Sequence, residues 1–252
     1  MSPKVFIHGN PETDAVWSLL VETLRSRISD QLLLLSPPGF GVPSPDGWEG
    51  RQSDYVDWLI DELIAIGESV DIVGHDWGAG HVYGLLDKRP DLVKSWVADC
   101  AGLLHPDYEW HDAAKTWQSS DTGEAAVAML IGMSIDEKAT ILESLGMTSD
   151  IAQQVAPQVN ADMGGRILSL YRSAAQPAMR ELGARLVLKN LPRGCVVVPT
   201  ADHYPGTPAM AGAMAASLGA TTLELEDRGH WWMIEAAEDA AQGLIDFWAR
   251  AE

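Results

Sequence analysis

The sequence predicts an α/β fold: a mostly parallel sheet of about six strands, helices on both faces, and one helical insertion. Three observations point there. Short apolar runs alternate with longer segments of helical period through the first part of the chain, which is the order of a parallel sheet. The runs are apolar at successive rather than alternate positions, as expected of strands covered on both faces. From Leu103 to Leu186 no strand-like run occurs, and segments rich in Ala, Met and Gln take over.

Taken in order, Val5-Phe6-Ile7 reads as a buried strand feeding a tight loop at His8-Gly9-Asn10-Pro11. Val16, Leu19, Leu20 and Leu24 recur on one face of a helix. Leu32 to Leu35 reads as a second buried strand, stopped by Ser36-Pro37-Pro38-Gly39-Phe40-Gly41, where proline and glycine enforce a loop. Residues 55–66 are amphipathic and helical, 70–73 a strand, 78–88 a helix and 94–98 a fourth strand. Within the insertion, 124–131 and 136–145 are helical. Strands resume at 195–198 and 221–225, and a last helix covers about 236–250. The expected division is a core of residues 1–103 and 187–252 with a helical cap at 104–186. No internal repeat or low-complexity tract is present.

Composition bounds the function. The chain has 252 residues, 46% apolar and 21% charged, ordinary for one globular domain. Seventeen basic against 36 acidic residues give a net charge of −19, which repels phosphate backbones and anionic lipid. Nucleic acid and membranes are therefore not expected partners. Cys100 follows one strand and Cys195 precedes another. In parallel strands they are expected at opposite sheet ends, beyond disulfide reach, which suits a reduced, cytoplasmic protein. With a strand expected from about Lys4 no signal peptide is expected, and no apolar run approaches the ~18 residues of a membrane span.

The chemistry centres on Gly74-His75-Asp76-Trp77-Gly78, between a predicted strand and a predicted helix. This is the spacing of a nucleophile elbow, G-x-S-x-G, with Asp76 in the serine position. The glycines allow strand and helix to approach across a sharp turn. The nucleophile is lifted to a helix N-terminus, which favours an ionised carboxylate. A carboxylate suits attack on an electrophilic sp3 carbon, as in epoxides and alkyl halides. The resulting alkyl-enzyme ester is then hydrolysed by a base-activated water. Triad order in such a fold is nucleophile, acid, histidine. His230 in Arg228-Gly229-His230 is the expected base. Asp202, after the strand at 195–198, is the expected acid, with Asp99 in reserve. The backbone donors expected to hold the developing oxyanion are the N–H groups of Trp77 and Asn10.

These motifs make the chain resemble the epoxide hydrolase and haloalkane dehalogenase branch of the α/β-hydrolases. The resemblance runs from the loop at His8 to Glu12, through the Asp76 elbow and the helical segment, to Gly229-His230. It implies an α/β-hydrolase fold whose first strand here matches the family's third, and a cap placed where the helical segment lies. It also implies a small apolar substrate and water as reactants and no cofactor, with a monomer or homodimer expected. Within that branch His8-Gly9-Asn10-Pro11 resembles the dehalogenase loop, in which the Asn side chain and the Trp after the nucleophile hold halide; Asn10 and Trp77 match. Pro11-Glu12 and Gly78-Ala79 are more similar to epoxide hydrolases, which use cap tyrosines to protonate the epoxide oxygen. Tyr171 resembles one of these, while Tyr108 lies at the very start of the cap. The balance leans to an epoxide hydrolase. An ester or lactone hydrolase with Asp76 as a base, or a ligand-binding homologue, stays open.

Other readings compete at several positions. Asp76 can serve as an N-cap, Asp202 and Asn10 as turn formers, and Tyr171 as packing. Tryptophans 110, 117, 231 and 232 suggest an apolar pocket or simply core. His105, Asp107, Glu109, His111 and Asp112 match no specific ligand spacing, and no metal is expected there.

Overall fold

The computed structural model describes residues 2–250. Among them, six strands form one sheet: β1 (Lys4–Ile7), β2 (Leu32–Leu35), β3 (Val70–Gly74), β4 (Val93–Ala98), β5 (Arg193–Pro199) and β6 (Thr221–Leu225). Their spatial order is β2-β1-β3-β4-β5-β6, with every neighbouring pair parallel. The central strands β1 and β3 are buried along their whole length, as their unbroken apolar runs require. Leu32–Leu35, expected to be buried, is only half-covered because β2 sits at one edge of the sheet. β6 forms the other edge and is mostly exposed. The charge inside β3, Asp71, accepts hydrogen bonds from Lys4 Nζ (2.6 Å) and Ser95 Oγ (2.5 Å), so no buried acid is left unpaired.

The helices before and after β3 are α1 (Ser18–Arg25), α2 (Gln52–Ile66) and α3 (Trp77–Lys88). Between β4 and β5 run α4 (Asp112–Gln118), α5 (Thr122–Gly132), α6 (Ile135–Ser144), α7 (Ser149–Val155), α8 (Ala161–Ser173) and α9 (Ala178–Leu186), with no strand among them. α9 packs on α3 and on residues 101–104, returning the chain to the sheet. The close approach needs Gly183, where an added Cβ would lie 2.4 Å from the Leu104 carbonyl oxygen. Then follow α10 (Pro208–Ser217), α11 (Trp232–Glu235) and α12 (Ala237–Ala249). α10 is not visible in the sequence pattern, because its Ala-, Met- and Gly-rich run has no apolar stripe to set against a polar one.

Both cysteines are free, but not at opposite sheet ends as expected. Cys195 lies inside β5 beside Val97 of β4, only a few residues below Cys100. No helix of the described residues is long and apolar enough to cross a membrane.

The chain steps from β1 outward to β2, then crosses back to place β3 on the other side of β1. Loops leaving β1 and β3 therefore diverge, and a crevice opens at their carboxyl ends. The pairing of Ile7 with Gly74 sets those ends level, so residues 8–12 and 75–76 emerge side by side.

Candidate active site

β3 ends at Gly74 and α3 starts at Trp77, so His75 and Asp76 alone make the turn. Asp76 takes φ 51° and ψ −119°, a strained conformation for a residue with a side chain. The surrounding glycines are required by contact. An added Cβ would lie 2.8 Å from the backbone of Ala79 at Gly74, and 2.2 Å from the Ile7 carbonyl oxygen at Gly78. At Gly9 it would lie 2.1 Å from Asp76 Oδ1.

The Asp76 carboxylate is held at one oxygen. The Asn10 backbone N–H donates to Oδ1 at 2.9 Å, while Oδ2 faces His230 Nε2 at 3.7 Å. On its other side His230 Nδ1 lies 2.8 Å from Asp202 Oδ2. Asp202 Oδ1 accepts the N–H of Tyr204 at 3.0 Å, which fixes the carboxylate plane. The N–H of Trp77, at the first residue of α3, is one of the donors a helix leaves without an internal partner.

Asp99, the reserve acid, is committed elsewhere. Its Oδ2 lies 2.5 Å from His75 Nδ1 and accepts the Trp232 indole N–H at 2.7 Å, and its Oδ1 accepts the Asp76 N–H at 2.9 Å. His75 Nε2 in turn lies 3.1 Å from Glu12 Oε1, which also accepts the Trp231 indole N–H at 3.0 Å. Glu12, His75 and Asp99 thus form a second buried row beneath the first, and Glu12 Oε1 comes within 4.0 Å of His230 Nε2. Sequence inspection marked His75 only as part of the motif and Glu12 only as part of a loop. A buried glutamate next to a glycine turn carries no local signature, because its side-chain partners are more than sixty residues away. His8 is also fully buried, with Nδ1 3.0 Å from the Gly9 carbonyl oxygen.

Burial dominates the electrostatics. It pushes the Asp76 carboxyl up to about 6 despite the opposing pull of His230. The helix N-terminus therefore does not keep this acid as ionised as its position suggests. At His230 burial works against the charge, but the Asp202 carboxylate outweighs it and raises the imidazole to about 9. At His75 burial is likewise outweighed, by Glu12 and Asp99, and the ring is held protonated well above the usual range. At neutral pH Asp76 carboxylate therefore faces His230 imidazolium, over a second ion-paired row.

A cavity of about 270 Å³ opens above Asp76, lined mostly by apolar side chains, among them Leu130 of α5, Ile141 and Leu142 of α6, Trp117 and Trp231. Its polar groups are few. The Asn10 carboxamide lines it with both polar atoms buried and unpartnered. Tyr171 lines it too, its ring edge-on to Trp77 at 5.2 Å between centroids. Burial holds the phenol well above its usual range, hence protonated. Tyr108 is buried below, its hydroxyl donating to the Tyr204 carbonyl oxygen at 2.8 Å, so it has no free hydroxyl to offer.

Three lining residues had no sequence signal of their own: Tyr204, Lys138 and, in this role, His111. His111 caps α4, its Nδ1 accepting the Ala114 N–H at 3.3 Å, which leaves the ring proton on Nε2. Burial pushes its pKa down to about 4, so it is a neutral donor. Among the described residues its neighbours in sequence gather no metal-binding group around it. Glu12, His75 and His230 do offer ligand atoms within 4.8 Å of one another, but carboxylates already hold both nitrogens of His75. Of the four tryptophans weighed above, Trp117 and Trp231 line the cavity. Trp110 borders a smaller recess beside Trp77, and Trp232 is core.

Comparison with known proteins gives the family and the fold. The profile of the Alpha/beta hydrolase family matches residues 5–242. Over 107 residues the chain is 27% identical to AB hydrolase superfamily protein YfhM of Bacillus subtilis, covering 40% of this chain and 36% of that protein. Over 111 residues it is 28% identical to the cis-3-alkyl-4-alkyloxetan-2-one decarboxylase of Shewanella oneidensis, covering 41% and 33%. The chain thus aligns with about a third of the length of these curated relatives. Among solved structures it is similar to a haloalkane dehalogenase DbeA variant from Bradyrhizobium elkanii, with TM-score 0.71, 18% identity, and 98% and 90% of the two chains covered. It is also similar to a bromoperoxidase from Bacillus anthracis, with TM-score 0.74, 16% identity, and 99% and 92% covered. At these identities the likeness is one of fold.

Proposed function

Because this chain belongs to the alpha/beta hydrolase family, we propose that it is a hydrolase acting on small apolar carbon electrophiles through an alkyl-enzyme ester on Asp76. In this reading residues 1–103 and 187–252 are the catalytic core and 104–186 the cap. The observation that carries it is the row Asp76, His230 and Asp202, with a carboxylate at the strained elbow where a serine would serve acyl transfer. The Asn10 N–H holds Oδ1, which leaves Oδ2 free to attack an sp3 carbon in line with its leaving group. Attack forms the C–O ester bond and breaks the carbon's bond to the leaving atom. It also removes the negative charge that helped keep His230 protonated, so the imidazole releases its proton to solvent more readily and becomes the base that takes a proton from the attacking water. Hydroxide then adds to the Asp76 carbonyl carbon. The oxyanion at Oδ1 meets the N–H groups of Asn10 and Trp77; as it collapses the Cγ–Oδ2 bond breaks and the alcohol leaves with the proton that His230 took from water.

The preferred electrophile is an epoxide. Its oxygen departs as an alkoxide and needs a proton, which the buried Tyr171 phenol can supply, with the His111 Nε2–H as a second neutral donor. A second reading, haloalkane dehalogenation, is favoured by one observation: the buried, unpartnered Asn10 carboxamide in the cavity wall offers a halide N–H donors and no proton. The test is His230→Gln incubated with terminal epoxides and 1-haloalkanes. Intact-protein mass spectrometry is expected to show an adduct of substrate mass that is absent from Asp76→Ala. In wild type, turnover in heavy-oxygen water is expected to place label in the Asp76 carboxylate. Turnover with neither adduct nor label would overturn the covalent reading in favour of Asp76 as a base.

A further inference from the structure

The wall that α6 contributes to the cavity carries a cation. Lys138 is 8% exposed and lines the cavity among Leu130, Ile141, Leu142, Leu145 and Val159. Its Nζ donates one hydrogen bond, to the Val159 carbonyl oxygen at 2.8 Å. An ammonium has three donors. Among the described residues the other two meet no acceptor, and no carboxylate pairs with this lysine. The contrast with Lys4 is direct: that lysine, equally buried, pairs with both Asp71 and Asp30. In a chain with 36 acidic residues and a net charge of −19, a buried cation without an acidic partner is out of pattern. Tying α6 to the turn at Val159 would need only one neutral donor, which a glutamine supplies without the cost of burying a charge.

We propose that Lys138 receives a carboxylate carried by the substrate at the far end of an apolar chain from its reactive carbon. Charge at the base of the cavity sets the orientation. The four carboxylates there, Asp76, Asp202, Glu12 and Asp99, outnumber the imidazoliums of His230 and His75, so an acid enters with its carboxylate toward Lys138 and its uncharged end toward Asp76. The leucine and isoleucine side chains that line the same cavity take the methylenes. At about 270 Å³ the space suits a short chain. The reactive end rests on the alkyl-enzyme reading above; the anion site does not.

Binding of hexanoate and of hexan-1-ol, matched in chain and unable to alkylate Asp76, tests the site by calorimetry. Wild type is expected to prefer hexanoate at least about tenfold, Lys138→Arg to keep the preference, and Lys138→Met to lose it. If Lys138→Met does not fold, Lys138→Gln, which keeps a donor for Val159, is expected to lose the preference in the same way. Equal binding of the two ligands by wild type, or a preference that survives in Lys138→Met or Lys138→Gln, overturns the proposal. A kinetic arm compares kcat/KM for an ω-epoxy acid and its methyl ester, a ratio expected to fall about tenfold in Lys138→Met. Hexanoate preference without adduct or label at Asp76 would uphold the anion site and overturn the alkyl-enzyme reading. Adduct without hexanoate preference would do the reverse.

Discussion

Gly9→Ala tests whether the nucleophile's position is as tightly set as the loop contacts imply. An added Cβ at residue 9 would lie 2.1 Å from Asp76 Oδ1, 2.4 Å from its Cβ and 2.6 Å from its Cγ. Ordinary contact begins at 3.4 Å, so the carboxylate or the loop must give way by about 1.3 Å, the difference between the two distances. The Asn10 N–H that holds Oδ1 at 2.9 Å sits on that same loop, so the two cannot move apart without losing the bond. A displacement of about 1 Å in a reacting group costs roughly 10²-fold in rate. We therefore expect kcat to fall by about 10²-fold or more, and adduct formation in the Gly9→Ala, His230→Gln double variant to slow equally. Circular dichroism should still report a folded protein. Gly165→Ala is the control: it lies inside α8 with nothing within 4 Å of an added Cβ. It should leave kcat alone and stabilise by about 0.5–1 kcal/mol. If Gly9→Ala retains activity within about fivefold of wild type, Asp76 is not held where the proposed chemistry needs it.

Other expectations follow from the same geometry. Asp202→Asn should slow ester hydrolysis far more than it slows ester formation, since Asp202 Oδ2 is the carboxylate oxygen at hydrogen-bond distance from His230, 2.8 Å from Nδ1; the opposite kinetic split would move the acid's role away from it. Asp99→Asn should act through stability, because it leaves the charged His75 with Glu12 alone, and a melting temperature equal to wild type would contradict that. The pH profile of single-turnover alkylation should fall about tenfold per unit below about 6, where Asp76 becomes protonated, and a flat profile down to pH 4 would show that burial does not raise this carboxyl. Tyr171→Phe should cut epoxide opening by roughly 10²–10⁴-fold and leave halide release nearly untouched, while Asn10→Ala should do the reverse; unchanged epoxide turnover in Tyr171→Phe would hand the site to the dehalogenase reading.

Local chemistry made much of this molecule legible in one dimension. Apolar runs that end in glycine or proline mark strands, and Gly74 and Gly78 mark a turn that brings strand and helix into contact, so sheet, elbow and the position of Asp76 follow from near neighbours alone. Gly229-His230, just past the last strand, is readable for the same reason. Edge position was not: β2 is as leucine-rich as a central strand, and its half-exposure depends on what lies beside it rather than on its own residues. Nor was the partner of each histidine. Asp99 and Asp202 both end or follow a strand, and their division between His75 and His230 depends on how far each loop reaches at the carboxyl edge of the sheet. The Glu12 row, the donor role of His111 and the cation of Lys138 inside an apolar wall arise from the packing of helices and loops that are distant in sequence. Periodicity and turn preference act over a few residues, whereas burial and charge pairing act across the fold, and it is burial and pairing that set the pKa of Asp76 and the character of the cavity above it.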